Sequence, residues 1–196
     1  MAHALREKPI RPMPLKPYDE CFLQRLRRQD EEAFDRLVAA EHGRISRLVA
    51  RLLGWPGGVE DTVQEVFLAA WRNLPRFRGD CDPATWLRRI AINRCRSRQR
   101  RWTVRLRWLR QEGHNHATAT ADPSDQAAID RETRRQVRRS IGRLPPKYRE
   151  VIVLHYLEEQ SLDAIATLLD IRRNTIEVRL HRARSRLKEM LGTIWE

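Results

Sequence analysis

The side chains whose types and spacing point to chemistry in this sequence are mainly cations. Between Pro83 and Gln111 there is no acidic residue, and arginines recur at short intervals with Trp102 and Trp108 among them. Charge of one sign at this density repels itself and is stabilised when an anion lies against it. A solvated helix face is the ordinary alternative. Because the whole chain carries a formal charge of +13, nucleic acid is the first partner to consider.

Residues that could support catalysis or metal binding are not clustered. Cys21, Cys81 and Cys95 are widely spaced, so they indicate neither a disulfide framework nor a zinc motif. His114 and His116 form a His-x-His pair without a third ligand. The sequence has no Gly-rich phosphate loop and no nucleophile elbow, and its scattered carboxylates offer no metal site for a nuclease. We predict that the protein is not an enzyme and uses no metal or cofactor.

The elements that position the cations are predicted to be helices throughout, which gives an all-α fold. Apolar residues recur at helical spacing over residues 30–53, and Gly54 ends that helix. A second amphipathic helix covers residues 59–74. Asp82 and Pro83 are suited to the N-cap and first position of a third. These three helices are expected to form one small bundle.

Helical periodicity returns in the second half of the chain after a polar stretch. Residues 112–125 lose all periodicity and are typical of a linker. Beyond them, Pro145 and Pro146 separate two supporting helices, Ser161 caps a short helix, and a turn around Asp170 leads into the last helix. This order predicts a helix-turn-helix.

The chain is therefore expected to contain two small helical domains. No apolar run reaches the length of a membrane span, and the start of the chain lacks the apolar core of a signal peptide, so we predict a cytoplasmic protein. Because the polar linker supplies no core residues, the two domains are expected to be separable. The predicted segments are a flexible Pro-rich tail (1–17), a first helical domain (18–111), the linker (112–125) and a second helical domain with the helix-turn-helix (126–196).

Two sets of sequence strings carry a family resemblance. The first domain contains Val59-Glu-Asp-Thr-Val-Gln-Glu-Val-Phe-Leu-Ala-Ala-Trp71, Phe77-Arg-Gly-Asp80 and Thr85-Trp-Leu-Arg-Arg-Ile-Ala-Ile-Asn93. The second contains Leu144-Pro-Pro-Lys-Tyr-Arg-Glu-Val151, Ser161-Leu-Asp-Ala-Ile-Ala166 and Thr175-Ile-Glu-Val-Arg-Leu-His-Arg-Ala-Arg184. In this order they resemble regions 2 and 4 of the extracytoplasmic-function (ECF, group IV) sigma factors of bacterial RNA polymerase.

The resemblance implies a function and a set of partners. It implies a sigma factor that binds core RNA polymerase, through the beta-prime clamp and the beta subunit, and that recognises and opens promoter DNA. The DNA would be bound both as duplex and as a melted single strand. It further implies an anti-sigma factor as a partner and no small-molecule substrate. The alternative is a free-standing helix-turn-helix regulator that acts without polymerase, but it leaves the acidic stripe of the second helix unexplained.

That stripe is the candidate polymerase-binding surface. Asp61, Gln64, Glu65 and Leu68 fall at i, i+3, i+4 and i+7, so they share one face of the second helix. By resemblance this face docks on the clamp coiled coil of the beta-prime subunit. The alternative is an ordinary solvated helix face.

The candidate minus-ten DNA residues lie in the loop after the second helix and on the third helix. In the family this loop captures a flipped base, which requires an aromatic or apolar surface, polar groups and cations. Phe77 could provide that surface, or it could fasten the loop onto the bundle, and both interpretations stay open. The candidates are Arg76, Phe77, Arg78, Gly79, Asp80, Arg88, Asn93 and Arg96.

The candidate minus-thirty-five DNA residues surround the start of the last helix. Glu177 has two possible roles: it could complete a capping box with Asn174 as N-cap, or it could accept a hydrogen bond from a cytosine in the major groove. The candidates are Arg172, Arg173, Asn174, Thr175, Glu177, Val178, Arg179, His181 and Arg182.

Overall fold

The computed structural model of the protein describes residues 18–54, 57–111 and 126–192, with the backbone alone for 103–111, 126–131 and 134. Helices account for nearly all of the described residues, no strand occurs among them, and the predicted all-α class is confirmed. The predicted tail (1–17) and linker (112–125) lie outside these ranges. The helices are α1 (Glu20–Arg27), α2 (Glu31–Leu53), α3 (Val59–Asn73), α4 (Pro83–Gln111), α5 (Gln126–Arg143), α6 (Pro146–Ile152), α7 (Leu162–Leu169) and α8 (Arg173–Leu191).

Local sequence signals determine where the helices of the first bundle begin and end. The Asp30 carboxylate accepts a hydrogen bond from the Ala33 amide at 2.9 Å and caps α2. Gly54 ends this helix in the left-handed conformation, with φ at 70°, which glycine adopts without steric cost. The Asp82 carboxylate accepts from the Ala84 amide at 3.0 Å before α4. The predicted range of α2 and the predicted start of α4 are confirmed.

Helix α1 was not predicted from the sequence, because its eight residues are too few to show a clear period. Its start is set by Asp19, whose carboxylate accepts from the Phe22 amide at 2.7 Å. Leu26 is fully buried against the bundle, and the Tyr18 and Phe22 rings stack with centroids 5.0 Å apart. Helix α1 is therefore a fourth helix of the first domain.

Helices α2, α3 and α4 pack against one another and enclose the core of the first domain. Helix α4 contributes Leu87, Ala91 and Ile92 to this core, while Trp86 and Ile90 on the same helix keep some exposure. The side chains buried here include Leu37, Ile45, Leu48, Val49, Leu52, Val63, Val66, Ala70, Leu87, Ala91 and Ile92.

The second half contains the predicted helix-turn-helix. The Ser161 hydroxyl accepts from the Ala164 amide at 3.2 Å and caps α7. Asp170 makes the turn with φ at 54°. Helix α8 then packs on α6 and α7 through Ile176 and Leu180, both of which are buried. A π-helical segment, Val153–Leu157, extends α6.

The two halves are in contact in this structure. Helix α2 contacts α5 and α6, and α4 contacts α7, so the buried apolar residues form one continuous cluster. The sequence did not suggest this packing. None of the described helices is long and apolar enough to cross a membrane.

Candidate nucleic-acid and polymerase interfaces

The acidic stripe of α3 lies on the surface of the first domain. Asp61 and Gln64 are exposed, and Leu68 keeps 55% of its surface in solvent, which is unusual for a leucine beside a packed core. The buried side of the same helix carries Val63 and Val66. The four predicted positions therefore form one accessible surface with an apolar residue, Leu68, at its C-terminal end.

Arginines of the neighbouring helix α4 face the carboxylates of this stripe. Arg98 lies 3.3 Å from an Asp61 carboxylate oxygen, and Arg101 lies 3.6 Å from Glu65. These are surface ion pairs, which contribute little to stability and exchange readily with other partners. The carboxylates are thus available to a cationic surface that approaches α3.

The loop after α3 is held by α1. A short helical turn, Leu74–Arg76, leads into the loop, and the Arg27 guanidinium donates a hydrogen bond to the Arg78 carbonyl at 3.1 Å. Gly79 has φ at 83°, and a Cβ there would lie 2.3 Å from the Arg27 guanidinium. The positive φ therefore favours glycine at this position, whereas the flexible end of the Arg27 side chain could move to make room for a Cβ.

Phe77 fastens this loop to the bundle. Its side chain is only 4% exposed, and its ring packs on Trp86 with centroids 5.0 Å apart. In this conformation the ring is part of the core and offers no free face to a base. The structure therefore supports the fastening interpretation, and the exposed base platform considered from the sequence is not present here.

The candidate residues of α4 differ in their surroundings. Asn93 is exposed, and Arg88 is half-buried. Arg96 makes a two-pronged ion pair with Glu150 of the second half, at 2.8 and 2.9 Å. The hydrogen bonds to Glu150 raise the pKa of Arg96. Arg89, on the same helix, donates to the Thr167 carbonyl at 2.7 Å.

Helix α8 begins two residues earlier than the capping box requires. Its N-cap is Arg172, without a side-chain cap, so Asn174 lies inside the helix. The predicted box of Asn174 and Glu177 is therefore wrong. Glu177 instead accepts from Arg173 at 3.1 Å, and Arg173 also reaches both carboxylate oxygens of Asp163 at 3.0 and 2.9 Å. The hydrogen bond to Glu177, and after it the bonds to Asp163, raise the pKa of Arg173.

A cleft of about 330 Å³ lies between the start of α8 and α6. It contains Lys147 and Tyr148. Neither residue is among the predicted DNA contacts, although both follow the Pro145-Pro146 pair at the start of α6. The ammonium of Lys147 lies 5.1 Å from the centre of the Tyr148 ring. The full lining is Lys147, Tyr148, Asn174, Thr175, Val178, Arg179 and Arg182.

Tyr148 is surrounded by positive charge. The Arg186 guanidinium lies 5.2 Å from its ring centre. A hydrogen bond from Arg182, followed by the charge of Lys147, lowers the pKa of the Tyr148 hydroxyl. Three cations from two helices therefore converge on one face, as a phosphate-binding surface requires.

The described residues contain no group of three or more His, Cys, Asp or Glu side chains that could hold a metal ion. Cys21, Cys81 and Cys95 are free thiols, and burial raises the pKa of Cys95 to about 12. His114 and His116 lie outside the described ranges. The described residues thus present cationic and acidic surfaces.

Comparison with known proteins identifies the family. The model of Sigma-70 region 2 matches residues 37–103, and that of Sigma-70 region 4 matches residues 134–187. The ECF RNA polymerase sigma factor SigW of Bacillus subtilis 168 is 31% identical over 176 residues, which cover 86% of this chain and 94% of SigW. The chain belongs to the ECF sigma factors. The ECF sigma-E factor of Escherichia coli K12 is 32% identical over 173 residues, 85% of this chain and 90% of that protein.

Solved structures show the same architecture for this ECF sigma factor. CnrH in complex with the cytosolic domain of CnrY is 28% identical with a TM-score of 0.63, covering 89% of this chain and 97% of CnrH. The sigma factor RpoE of Bartonella quintana, in complex with the anti-sigma factor NepR, has 22% identity and a TM-score of 0.64, covering 81% and 96%. Family membership confirms the predicted role in transcription initiation and disfavours a free-standing regulator.

Proposed function

We propose that this ECF sigma factor docks on core RNA polymerase through the acidic stripe of α3 and reads bipartite promoters with its two DNA surfaces. The observation that carries the proposal is the placement of the stripe beside the basic helix α4 in region 2, while region 4 presents a separate cationic cleft at the start of α8. Docking joins the two DNA surfaces to the polymerase. The matches to regions 2 and 4 support assignment to group IV.

The proposal includes the compartment and the absence of catalysis. Core polymerase and promoter DNA are in the bacterial cytoplasm, so we place the protein there. Its role is to bind and to open DNA, while bond formation belongs to the polymerase. An anti-sigma factor is a further proposed partner, since RpoE of Bartonella quintana was solved with one and CnrH with the cytosolic domain of CnrY.

Reversing the charge of the stripe tests polymerase docking. In the variant Asp61→Lys/Glu65→Lys, affinity for purified core polymerase should fall about 10- to 100-fold, because the clamp would meet cations in place of carboxylates. Thermal stability should change little, since only the surface pairs with Arg98 and Arg101 are lost. Binding is measured by fluorescence anisotropy of the labelled sigma factor.

The matched control places the same charge change elsewhere on region 2. Glu31 and Asp35 are exposed acids at i and i+4 on α2, the spacing of Asp61 and Glu65. The variant Glu31→Lys/Asp35→Lys should bind core polymerase like the parent. Equal losses of affinity in the two double variants would show an effect of net charge and would overturn the docking assignment.

For the minus-ten element we propose that the loop after α3 and the exposed side of α4 hold the melted strand. Arg76 and Arg78 supply charge, and Gly79 and Asp80 supply polar groups of the loop. Phe77 supports the loop from inside, through its packing on Trp86. On α4, the proposed contacts are Arg88, Asn93 and Arg96.

For the minus-thirty-five element we propose that α8 enters the major groove. Asn174, Thr175, Glu177 and Val178 are the candidates for base edges, since they lie in its first turns. Val178 is 49% exposed although it is apolar, which suits contact with a base methyl group. The candidates for phosphates and flanking bases are Arg172, Arg173, Arg179, His181 and Arg182.

Glu177→Gln separates base reading from structural pairing. If the carboxylate accepts from a cytosine, the variant should change the preference at one upstream base pair by about 1–3 kcal/mol. If Glu177 serves only to hold Arg173, base preference should stay the same and thermal stability should fall slightly. Selection from a randomised promoter library measures the preference.

The control for this experiment is Glu189→Gln, the same chemical change on an exposed residue near the other end of α8. It should leave both preference and affinity unchanged. An unaltered preference in Glu177→Gln would remove Glu177 from the base-reading set and leave it as the partner of Arg173.

A further inference from the structure

A buried arginine joins the two halves of the protein. Arg149, on α6, is 6% exposed, and each of its N–H groups has a backbone carbonyl acceptor. Region 2 supplies two of these acceptors, at 3.0 and 2.5 Å, and region 4 supplies the other three. The acceptors are the carbonyls of Leu52, Leu53, Ile141, Gly142 and Leu144.

The acceptors are carbonyls at the ends of two helices. Two of them have a second donor: Gln99 Nε2 donates to the Leu52 carbonyl, and the Leu144 amide donates to the Ile141 carbonyl. The last turn of a helix leaves carbonyls without helical partners and carries partial negative charge. A guanidinium placed there donates hydrogen bonds to these carbonyls, and its positive charge offsets the partial negative charge. Three acceptors belong to the half that contains Arg149, so its side chain is held in place even if the halves separate. Only the contacts to Leu52 and Leu53 depend on the packing of the halves.

Two glycines allow these helix ends to approach closely. A Cβ on Gly142 would lie 3.0 Å from the Gly54 carbonyl oxygen, which is backbone and cannot move aside easily. Gly142 lies within α5, where glycine is a poor helix former. We call this contact of Gly54, Gly142, Arg149, Leu52 and Leu53 the junction.

Around the junction, region 4 engages cations of the proposed minus-ten helix. Glu150, next to Arg149, is buried and pairs with Arg96, and the Thr167 carbonyl of α7 accepts from Arg89. On the other side, Arg51 of α2 donates to the Leu157 carbonyl at 2.8 Å and to Glu158 at 2.5 Å. Region 4 thus pairs with Arg89 and Arg96 of α4, the helix proposed above to hold the melted strand.

We propose that the junction is an autoinhibitory contact: in the isolated protein it holds region 4 against α4, and Glu150 occupies Arg96 in place of a DNA phosphate. DNA can reach this side of α4 only after the junction opens. The proposal rests on the proposed minus-ten role of α4. When the two halves separate, Arg149 keeps its three acceptors in region 4. The separation therefore does not require the charged side chain to leave the site that region 4 provides.

Gly142→Leu in the full chain tests the junction without removing any of its polar groups. The added side chain should force the helix ends apart, increasing the radius of gyration in small-angle scattering. Affinity for a fluorescein-labelled single-stranded DNA of mixed sequence should rise about tenfold, as expected when a state populated at roughly one part in ten becomes dominant. Thermal denaturation confirms that the variant is folded.

Gly43→Leu is the matched control, because Gly43 is an exposed glycine inside α2 whose Cβ would meet only the flexible Arg47 side chain at 3.5 Å. It should leave size and DNA affinity unchanged. Glu150→Gln is the second variant: it keeps the side-chain size, breaks the ion pair with Arg96, and should raise DNA affinity in the same direction. It decides the question if Gly142→Leu does not fold.

Three results separate this proposal from the DNA role of α4. Unchanged size in Gly142→Leu and unchanged DNA affinity in Glu150→Gln would overturn the junction. Expansion without tighter DNA binding would overturn autoinhibition. If Gly142→Leu binds DNA more tightly and adding Arg96→Ala does not reduce the gain, the closure stands, and the proposed contact of Arg96 with DNA fails.

Discussion

Replacing Arg149 with methionine is expected to lower the free energy of unfolding by about 3–5 kcal/mol. Methionine keeps an unbranched side chain about as long as the aliphatic part of arginine but donates no hydrogen bond. The carbonyls of Leu53, Gly142 and Leu144 therefore lose the Arg149 donor, while those of Leu52 and Ile141 keep one other donor each. An acceptor left unpaired in a buried place costs more than a typical hydrogen bond contributes. Urea denaturation followed by circular dichroism measures the change.

Two further variants show whether geometry or charge is responsible. Arg149→Lys keeps the positive charge but replaces a planar fork of five donors with three donors at one nitrogen, so it should recover only part of the loss. Burial lowers the pKa of Arg149, and desolvation acts in the same direction on the more easily deprotonated lysine. Arg143→Met, an exposed position at the end of α5, should change stability by less than about 0.5 kcal/mol. Equal stability of the Arg149→Met and Arg143→Met variants would contradict the role of Arg149.

The sequence predicted features that depend on neighbouring residues. The caps at Asp82 and Ser161 and the glycine end of α2 involve groups two to four residues apart, so their chemistry is visible in the chain. The exposed acidic stripe of α3 likewise follows from helical spacing, because residues at i, i+3, i+4 and i+7 share a face whatever lies opposite.

Features that depend on distant residues could not be predicted in this way. Arg149 is one arginine among many in the sequence, and two of its acceptors lie nearly a hundred positions earlier. Phe77 was left open between two roles because its position depends on the tertiary contact with Trp86. The polar linker suggested separable halves, but linker composition carries no information about whether helix ends interlock. Whether the predicted domain boundaries mark independent folding units stays a prediction.

The capping box predicted at the start of α8 is wrong for a local reason. The motif at Asn174 and Glu177 is satisfied in spacing, but Arg172 takes the extended N-cap conformation and the helix starts at Arg173. Arg173 then competes for the Glu177 carboxylate and also binds Asp163 of α7. A helix start depends on the turn before it as well as on the motif within it.

The cationic cleft between α6 and α8 has the properties of a phosphate site. Lys147 is exposed at the start of α6, and Arg182 lines the same cleft, where its interaction with the Tyr148 hydroxyl lowers the pKa of that group. Cations grouped at one cleft can meet the DNA backbone together. Because every base pair carries the same phosphates, such a contact adds affinity without adding sequence preference.

The variant Lys147→Ala/Arg182→Ala should therefore weaken promoter binding equally across a sequence library. If each cation neutralises one phosphate, the slope of log affinity against log salt should become shallower by about 1.8, so between 50 and 200 mM salt the variant should lose about tenfold less affinity than the parent. The control is Arg184→Ala, because Arg184 is exposed on the same helix but donates to the Tyr156 hydroxyl at 2.7 Å; it should keep the parental slope. Fluorescence anisotropy titrations at several salt concentrations give the slopes. A double variant with the parental slope, or one that changes preference at a single base pair, would show that these cations do not act as phosphate contacts.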